Sequence, residues 1–397
     1  MPRTAGDEQV LVVDADTHFS EPHDLWTSRV PAKYKNLVPH VVKDGDGNDT
    51  WLVNGDDVLQ KRASASSVIR KDGTKLAFWD WDIRAGGMKF EDVADACWDV
   101  ASRLRFMDEQ GVAAQIMYPN LTGFSAHRLA KLEPSLSRVI VTTYNDAMGE
   151  IQESSGQRIF PQALVPFWDI DFSVEEVERV SRDLGLRGIT MSSEPHAGGL
   201  LPITDHHWDP LWEACSALKL PINFHVGASE FGEEAFFKGA WPGLDRKRRF
   251  VIGCVQLEMH NARVLTNLLA SDLLSRHPDT KWVSVESGIG WIPYVIERLE
   301  HQLLEQSLSG DGLDQPSPRE LFRRQVYGCF WFEEAAPSKY LDEIGFDNVL
   351  FETDFPHTTC LYPNGVEHGM RVLAPWGAEV QRKVMGGNAI QLYNLPL

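Results

Sequence analysis

Val10-Leu11-Val12-Val13-Asp14-Ala15-Asp16-Thr17-His18-Phe19-Ser20-Glu21-Pro22 runs four apolar residues into a cluster of acids and a histidine. The pattern predicts a buried strand whose C-terminal end carries chemistry. Alternate side chains of a strand share a face, so Asp16 and His18 are expected to point the same way and to reach one ion. A carboxylate oxygen and an imidazole nitrogen together suit a hard-to-borderline divalent metal. The competing reading makes Asp16 the cap of the next turn and His18 an ordinary strand end, and so short a motif leaves both open.

Outward from this strand, short apolar runs alternate with amphipathic stretches. Residues 21–91 read as a long irregular insertion rich in proline and glycine, expected to cover the end of the first strand. A helix over 93–109 precedes a second strand over 112–119. A helix over 135–153, a third strand over 159–168, a helix over 174–184 and a fourth strand over 188–191 follow. A helix opens at Asp209, the fifth strand spans 221–225, and residues 227–243 read as a lid-like loop rich in Phe, Gly and Trp. A long helical stretch to about 275 leads to strands over 281–286, 325–332 and 348–354, with a helix from Trp291 between the first two. Eight strands, most followed by a helix, give the pattern of a (β/α)8 TIM barrel, an α/β fold filling residues 1–397 as one domain. An open doubly wound sheet would place a Gly-rich phosphate turn after an early strand, and none is present.

Composition narrows the function classes. With 38 Lys+Arg against 57 Asp+Glu the net charge is −19, which argues against nucleic acid or an anionic membrane as partner. Five scattered cysteines without C-x-x-C spacing fit a reducing, cytoplasmic setting rather than a disulfide framework. Met1 to Gln9 lacks the apolar run of a signal peptide, and no window approaches the roughly 20 apolar residues of a membrane span.

Barrel active sites lie where strand C-termini converge, so polar residues there become informative. The fifth strand ends in His225. The sixth ends at Glu286, which must be paired, metal-facing or protonated. The eighth ends Phe351-Glu352-Thr353-Asp354-Phe355-Pro356-His357, where Glu352 and Asp354 share a face if the strand stays regular. A hydrogen-bonded structural role for His225 and a turn-forming role for Asp354 are the bland alternatives.

Asp16-x-His18 on strand one, His225 on strand five and Asp354 within Thr-Asp-Phe-Pro-His resemble the amidohydrolase superfamily. More narrowly they resemble the amidohydrolase-related branch containing aminocarboxymuconate semialdehyde, γ-resorcylate and carboxyvanillate decarboxylases. Arg103-Leu104-Arg105-Phe106-Met107-Asp108-Glu109-Gln110-Gly111-Val112, Glu286-Ser287-Gly288-Ile289-Gly290-Trp291-Ile292-Pro293 and Gly387-Asn388-Ala389-Ile390 extend the likeness over nearly the whole chain. The resemblance implies one divalent metal ion, Zn2+ or alternatively Mn2+, held by Asp16, His18, His225 and Asp354. The superfamily often has His-x-His on strand one; Asp-x-His here is closer to the Glu-x-His of its decarboxylases. Many relatives place a histidine where Glu286 stands, so Glu286 remains a ligand, a base or an acceptor orienting His225. His260 could supply the missing imidazole, or it packs structurally on its helix.

A divalent ion with an open position can lower the pKa of bound water towards ~7, or neutralise charge as carbon dioxide leaves a substrate. Asp354 would carry the proton in hydrolysis, and Asp354 or a histidine in decarboxylation, with Glu286 and His260 as the further catalytic candidates. Tyr118, Trp168, Phe236, Phe237, Trp241 and Trp331, with Asn120 and Glu194 as polar ends, are expected to line a pocket for a flat substrate. Arg70, Lys71, Arg84 or Lys89 could hold its carboxylate. The expectation is nonoxidative decarboxylation of a small aromatic or unsaturated carboxylic acid by a homodimer or larger homo-oligomer. Hydrolysis of an amide, ester, lactone or vinylogous C–C bond is the alternative, and a barrel that only binds a ligand the third.

Overall fold

A computed structural model describes residues 10–45, 47, 49–60, 65–76, 88–306 and 316–397. Nine short parallel segments carry the fold: β1 (Val12–His18) and, after an antiparallel trio β2 (His40–Lys43), β3 (Asp49–Val53) and β4 (Asp57–Gln60), the run β5 (Val112–Tyr118), β6 (Ile159–Pro161), β7 (Ala163–Leu164), β8 (Ile189–Thr190), β9 (Ile222–His225), β10 (Trp282–Val285), β11 (Val326–Phe330) and β12 (Val349–Phe351). One sheet has the order β1-β5-β6 and another β12-β11-β10-β9-β8-β7. β6 and β7 are one strand interrupted at Gln162, whose N–H donates to Met117 O at 2.8 Å. The other seam is closed by a parallel bridge between Thr17 and Phe355, with His18 N–H on Phe355 O at 2.7 Å and Asp354 N–H on Asp16 O at 3.0 Å. The pairings therefore return to β1, the ring expected from the alternation of elements.

Two apolar clusters explain why these strands hold together. Val13, Ala15, Ile116, Tyr118, Val283, Val285 and Leu350 pack in one, and Tyr393 near the C-terminus joins them. Strand residues of opposite parity, such as Ile222, Phe224, Trp282, Val349 and Phe351, pack in another with the helices. Period-two alternation sorts each strand between the two layers. In β1 the register shifts between Asp14 and Thr17. That irregularity transfers the inward parity from Val13 and Ala15 to Asp16 and His18, so the polar pair emerges where the apolar interior ends.

The helices are α1 (Val100–Gln110), α2 (Pro134–Ser154), α3 (Ile170–Arg182), α4 (Asp209–Leu218), α5 (Glu230–Lys238), α6 (Arg246–Ala270), α7 (Leu273–Arg276), α8 (Ile292–Glu305) and α9 (Pro318–Gln325), with shorter ones to the C-terminus. The helix expected from 93 starts at Val100, because Asp99 caps it by accepting from Ser102 N at 2.7 Å. The third strand stops at Leu164, short of the expected 168.

Two expectations need correction. Residues 21–91 are not simply irregular: β2–β4 pair antiparallel, and Asn54-Gly55, both at positive φ, turn β3 into β4. Residues 227–243 are not simply a loop, since they contain α5. Ser229 caps that helix, its Oγ accepting from Gly232 N at 3.0 Å. Gly253 lets α6 approach α5 closely: a Cβ there would lie 2.7 Å from Phe236 O. Among the described residues no helix is long and apolar enough to cross a membrane.

Candidate metal centre

β1, β9, β10 and β12 deliver their polar ends to one place. Ligand atoms of Asp16, His18, His225 and Glu286 all lie within 4.8 Å of one another, as do those of His18, Glu286, Asp354 and His357. His18 Nε2 is 3.3 Å from Asp16 Oδ1 and 3.5 Å from Asp354 Oδ1. His225 Nε2 is 3.5 Å from both Asp16 Oδ1 and Glu286 Oε2. Asp354 thus enters through a second group that shares His18 and Glu286 with the first.

The chain bends to achieve this. Glu286 (φ 54°) and Asp354 (φ 58°) are both left-handed, a conformation L side chains take at a cost of roughly 1–2 kcal/mol. Arg103 fixes the rim from behind. Its buried guanidinium donates to His18 O at 2.6 Å, Gln115 Oε1 at 3.1 Å and Ala96 O at 2.5 Å, and it lies 4.6 Å from the Phe355 ring centroid. Gln115 in turn donates to Asp14 Oδ2 at 3.4 Å, and Asp14 accepts from Thr353 N at 2.8 Å.

Asp16 Oδ1 and Oδ2, His18 Nε2, His225 Nε2 and Asp354 Oδ1 are buried with no hydrogen-bond partner among the described residues. Unpaired buried polar atoms cost roughly 1–3 kcal/mol each, more when charged, so a cluster of them aimed at one point fits a cation. Electrostatics agree. Burial, followed by neighbouring carboxylates, pushes Glu286, Glu352 and Asp354 well above the ordinary carboxylate range. Burial also pushes Asp16 up, but the adjacent His225 and His18 outweigh it and hold that carboxyl below its usual range. His18 is pushed down to about 3 by burial and then by His357. So many acids cannot all ionise together without a positive charge among them.

His357 was not anticipated from the sequence. It stacks on His18 with ring centroids 3.7 Å apart and places Nδ1 3.0 Å from Asp354 Oδ1. Asn120 Nδ2 donates to Phe19 O at 2.9 Å, which leaves Asn120 Oδ1 to accept from His357 Nε2–H at 2.7 Å. Nδ1 of a neutral His357 therefore presents its lone pair to Asp354. Thr359 Oγ1 donates to Asp354 Oδ2 and lies 3.3 Å from Glu286 Oε1.

His260 lies elsewhere, with Nε2 2.5 Å from Glu194 Oε2; Ser229 Oγ and Arg263 reach the same carboxylate. The cavity beside the centre measures about 260 Å3 and is lined by Phe124, Val226, Phe236, Phe250, Leu257, Glu258, Glu286, His357 and Thr359 among others. Of the expected aromatic walls, Phe236 lines it and Tyr118 packs against His18 and His225. Phe237 and Trp241 are exposed at 65% and 81%, and Trp168 borders a separate small hollow. Arg70, Lys71 and Lys89 are exposed, and none of them lines the cavity; Arg84 falls outside the described residues.

The fold is one that amidohydrolases share. Residues 13–395 match the amidohydrolase family model, and the chain belongs to that family. It is 21% identical over 378 residues, 94% of this chain and 91% of the relative, to 2-amino-3-carboxymuconate-6-semialdehyde decarboxylase of Dictyostelium discoideum. A crystal structure of an amidohydrolase from Mycobacterium avium subsp. paratuberculosis superposes with TM-score 0.75 at 21% identity, covering 97% of this chain and 98% of the other. A dihydroxybenzoic acid decarboxylase from Polaromonas, crystallised with manganese and 2-nitroresorcinol, gives TM-score 0.60 at 18% identity, covering 98% of each chain. The likeness to these structures places the fold in the TIM-barrel class.

Proposed function

We propose that the chain is a divalent-metal-dependent carboxy-lyase that removes carbon dioxide nonoxidatively from a small aromatic or unsaturated carboxylic acid. The observation that carries this reading is the convergence of unpartnered carboxylate and imidazole atoms from three strand ends, joined by Glu286 from a fourth, beside an aromatic-walled cavity. The decarboxylases among the relatives support it. Asp16, His18 and His225 are the ion's holders, with Asp354 and Glu286 as flanking carboxylates; the mixed nitrogen and oxygen set suits Mn2+ or Zn2+. When bound, the ion supplies positive charge that positions the substrate carboxylate and stabilises the electron density left behind as carbon dioxide departs.

The rest falls to side chains. Asp354 carries the proton that replaces the carboxyl group on carbon, and His357, fixed by Asn120, exchanges that proton with it. Phe124 and Phe236 flank the substrate ring. His260 acts at a distance, holding Glu194 against the Ser229 cap of α5. The α5–α6 pair serves as the cavity's cover. Five free thiols fit a reducing cytoplasm, and a homo-oligomer is part of the reading. Purified protein loaded with Mn2+ or Zn2+ and offered hydroxybenzoates tests it: carbon dioxide release in step with metal content is expected. Inertness towards such acids together with turnover of esters or amides refutes it.

A further inference from the structure

The wall that α6 gives to the cavity is one helical face. Phe250, Cys254, Leu257 and Glu258 all line it, and their spacing of four, three and one places them on one side of the helix. Three are apolar or weakly polar. Glu258 is a carboxyl group that makes no hydrogen bond or ion pair with any described residue. It is half-buried, and burial followed by the nearby Glu333 pushes its carboxyl up to about 7. A carboxyl group withdrawn from water and left unpaired costs free energy that a ligand can recover by pairing with it. The other ionisable groups among the described lining residues are Glu286 and His357, both committed to the metal centre, and the Cys254 thiol, which burial pushes up to about 12; no lysine or arginine is among the described lining residues.

We infer that Glu258 is a specificity residue that selects a monocarboxylate bearing a hydroxyl or amino donor away from the carboxylate, and rejects a second carboxylate there. The inference rests on the metal-centre reading, because the centre must hold the first carboxylate for Glu258 to meet the other end. Phe124, Phe236 and Phe250 line the same cavity as Glu258, Glu286 and His357, which suits a ring as the spacer. A hydrogen bond to a charged acceptor corresponds to roughly a 10- to 100-fold gain in affinity. Above about pH 8, where Glu258 is ionised, a second carboxylate facing it meets like charge instead, with desolvation added.

The test is calorimetric titration of Mn2+-loaded protein, at about pH 8 so that Glu258 is ionised, with benzoate, 3- and 4-hydroxybenzoate, 3- and 4-aminobenzoate and benzene-1,4-dicarboxylate. One donor-bearing ligand is expected to bind about tenfold or more tighter than benzoate, and the dicarboxylate weaker than benzoate. Glu258→Leu should erase the donor preference while leaving benzoate binding in place. The near-isosteric Glu258→Gln should relieve the penalty on the dicarboxylate, since an amide can donate to it. Retained metal and benzoate binding with the same ligand ranking in wild type and both variants overturns the inference alone. Failure to retain Mn2+ or to bind any carboxylate overturns the metal-centre reading and this inference with it.

Discussion

Replacing Arg103 with Met keeps an unbranched side chain of similar reach and removes three hydrogen bonds at once. The donors lost served Ala96 O, Gln115 Oε1 and His18 O at 2.5, 3.1 and 2.6 Å. Removing one partner from a buried charged network costs about 3–5 kcal/mol, because the remaining acceptors stay dry and unpaired. With an unfolding entropy near 2.1 cal/mol/K per residue over 397 residues, a loss of about 4 kcal/mol lowers Tm by about 5 °C. The position should also cost metal affinity. Arg103 restrains the carbonyl of His18 directly and packs on Phe355, the neighbour of Asp354. Outer partners that orient ligands typically contribute 10- to 100-fold in affinity, so roughly that loss is expected. Differential scanning fluorimetry reads the first effect and competition with a fluorescent chelator the second. A variant that melts with wild type and holds its ion equally well would show that Arg103 is only a packed cation and that the rim does not depend on it.

Glu286→Gln and Asp354→Asn separate the two flanking carboxylates: whichever variant loses bound metal by elemental analysis is the ligand, and retention in both with loss of decarboxylation makes both proton carriers. Asn120→Ala frees His357 Nε2 from its 2.7 Å partner and should lower kcat about 10- to 100-fold with metal content intact; an unchanged kcat removes His357 from the reaction. Gly253→Ala places a Cβ 2.7 Å from Phe236 O, a backbone atom that cannot rotate away, so α5 must shift; destabilisation of about 1–3 kcal/mol in denaturant unfolding is expected. Glu333, which accepts N–H bonds from Ile289 and Gly290, is pushed from its ordinary 4.5 up to about 7 by burial. The folded state therefore keeps a proton that the unfolded chain has released, so the contribution of Glu333 to stability is full below about 4.5 and is lost towards pH 7 by up to about 1.4 kcal/mol per unit. Glu333→Gln should reduce that slope by one proton, and identical slopes refute the assignment.

The parts of the site legible in the sequence are those that a strand's alternation delivers. Asp16 and His18 share a face, and His225 closes an apolar run, so residue type and position sufficed to bring these three together. The rule stops where the strands stop. β12 ends at Phe351, and the left-handed turn at Asp354 brings His357 onto His18; strand periodicity carries no information about a residue three places beyond such a turn. The Asn54-Gly55 turn was a readable signal that the length of the insertion obscured. For α5, Gly232 and Gly239 argued against a helix, whereas the Ser229 cap and packing on α6 outweigh their low propensity.

His260 and Glu258 mark the remaining limit. Both lie on α6, which was readable as a long helix, and a histidine is the more obvious candidate by residue type alone. Two residues along a helix turn a side chain through roughly 200°, so only one of the two can face the cavity. Which one does is decided by Glu194, 66 residues earlier in the chain, whose carboxylate takes His260 at 2.5 Å. That pairing leaves the opposite face, with Glu258 on it, to line the pocket. A contact so distant in sequence leaves no local trace, and exchanging the two side chains would keep the composition of α6 while removing both the Glu194 tie and the free carboxyl of the cavity.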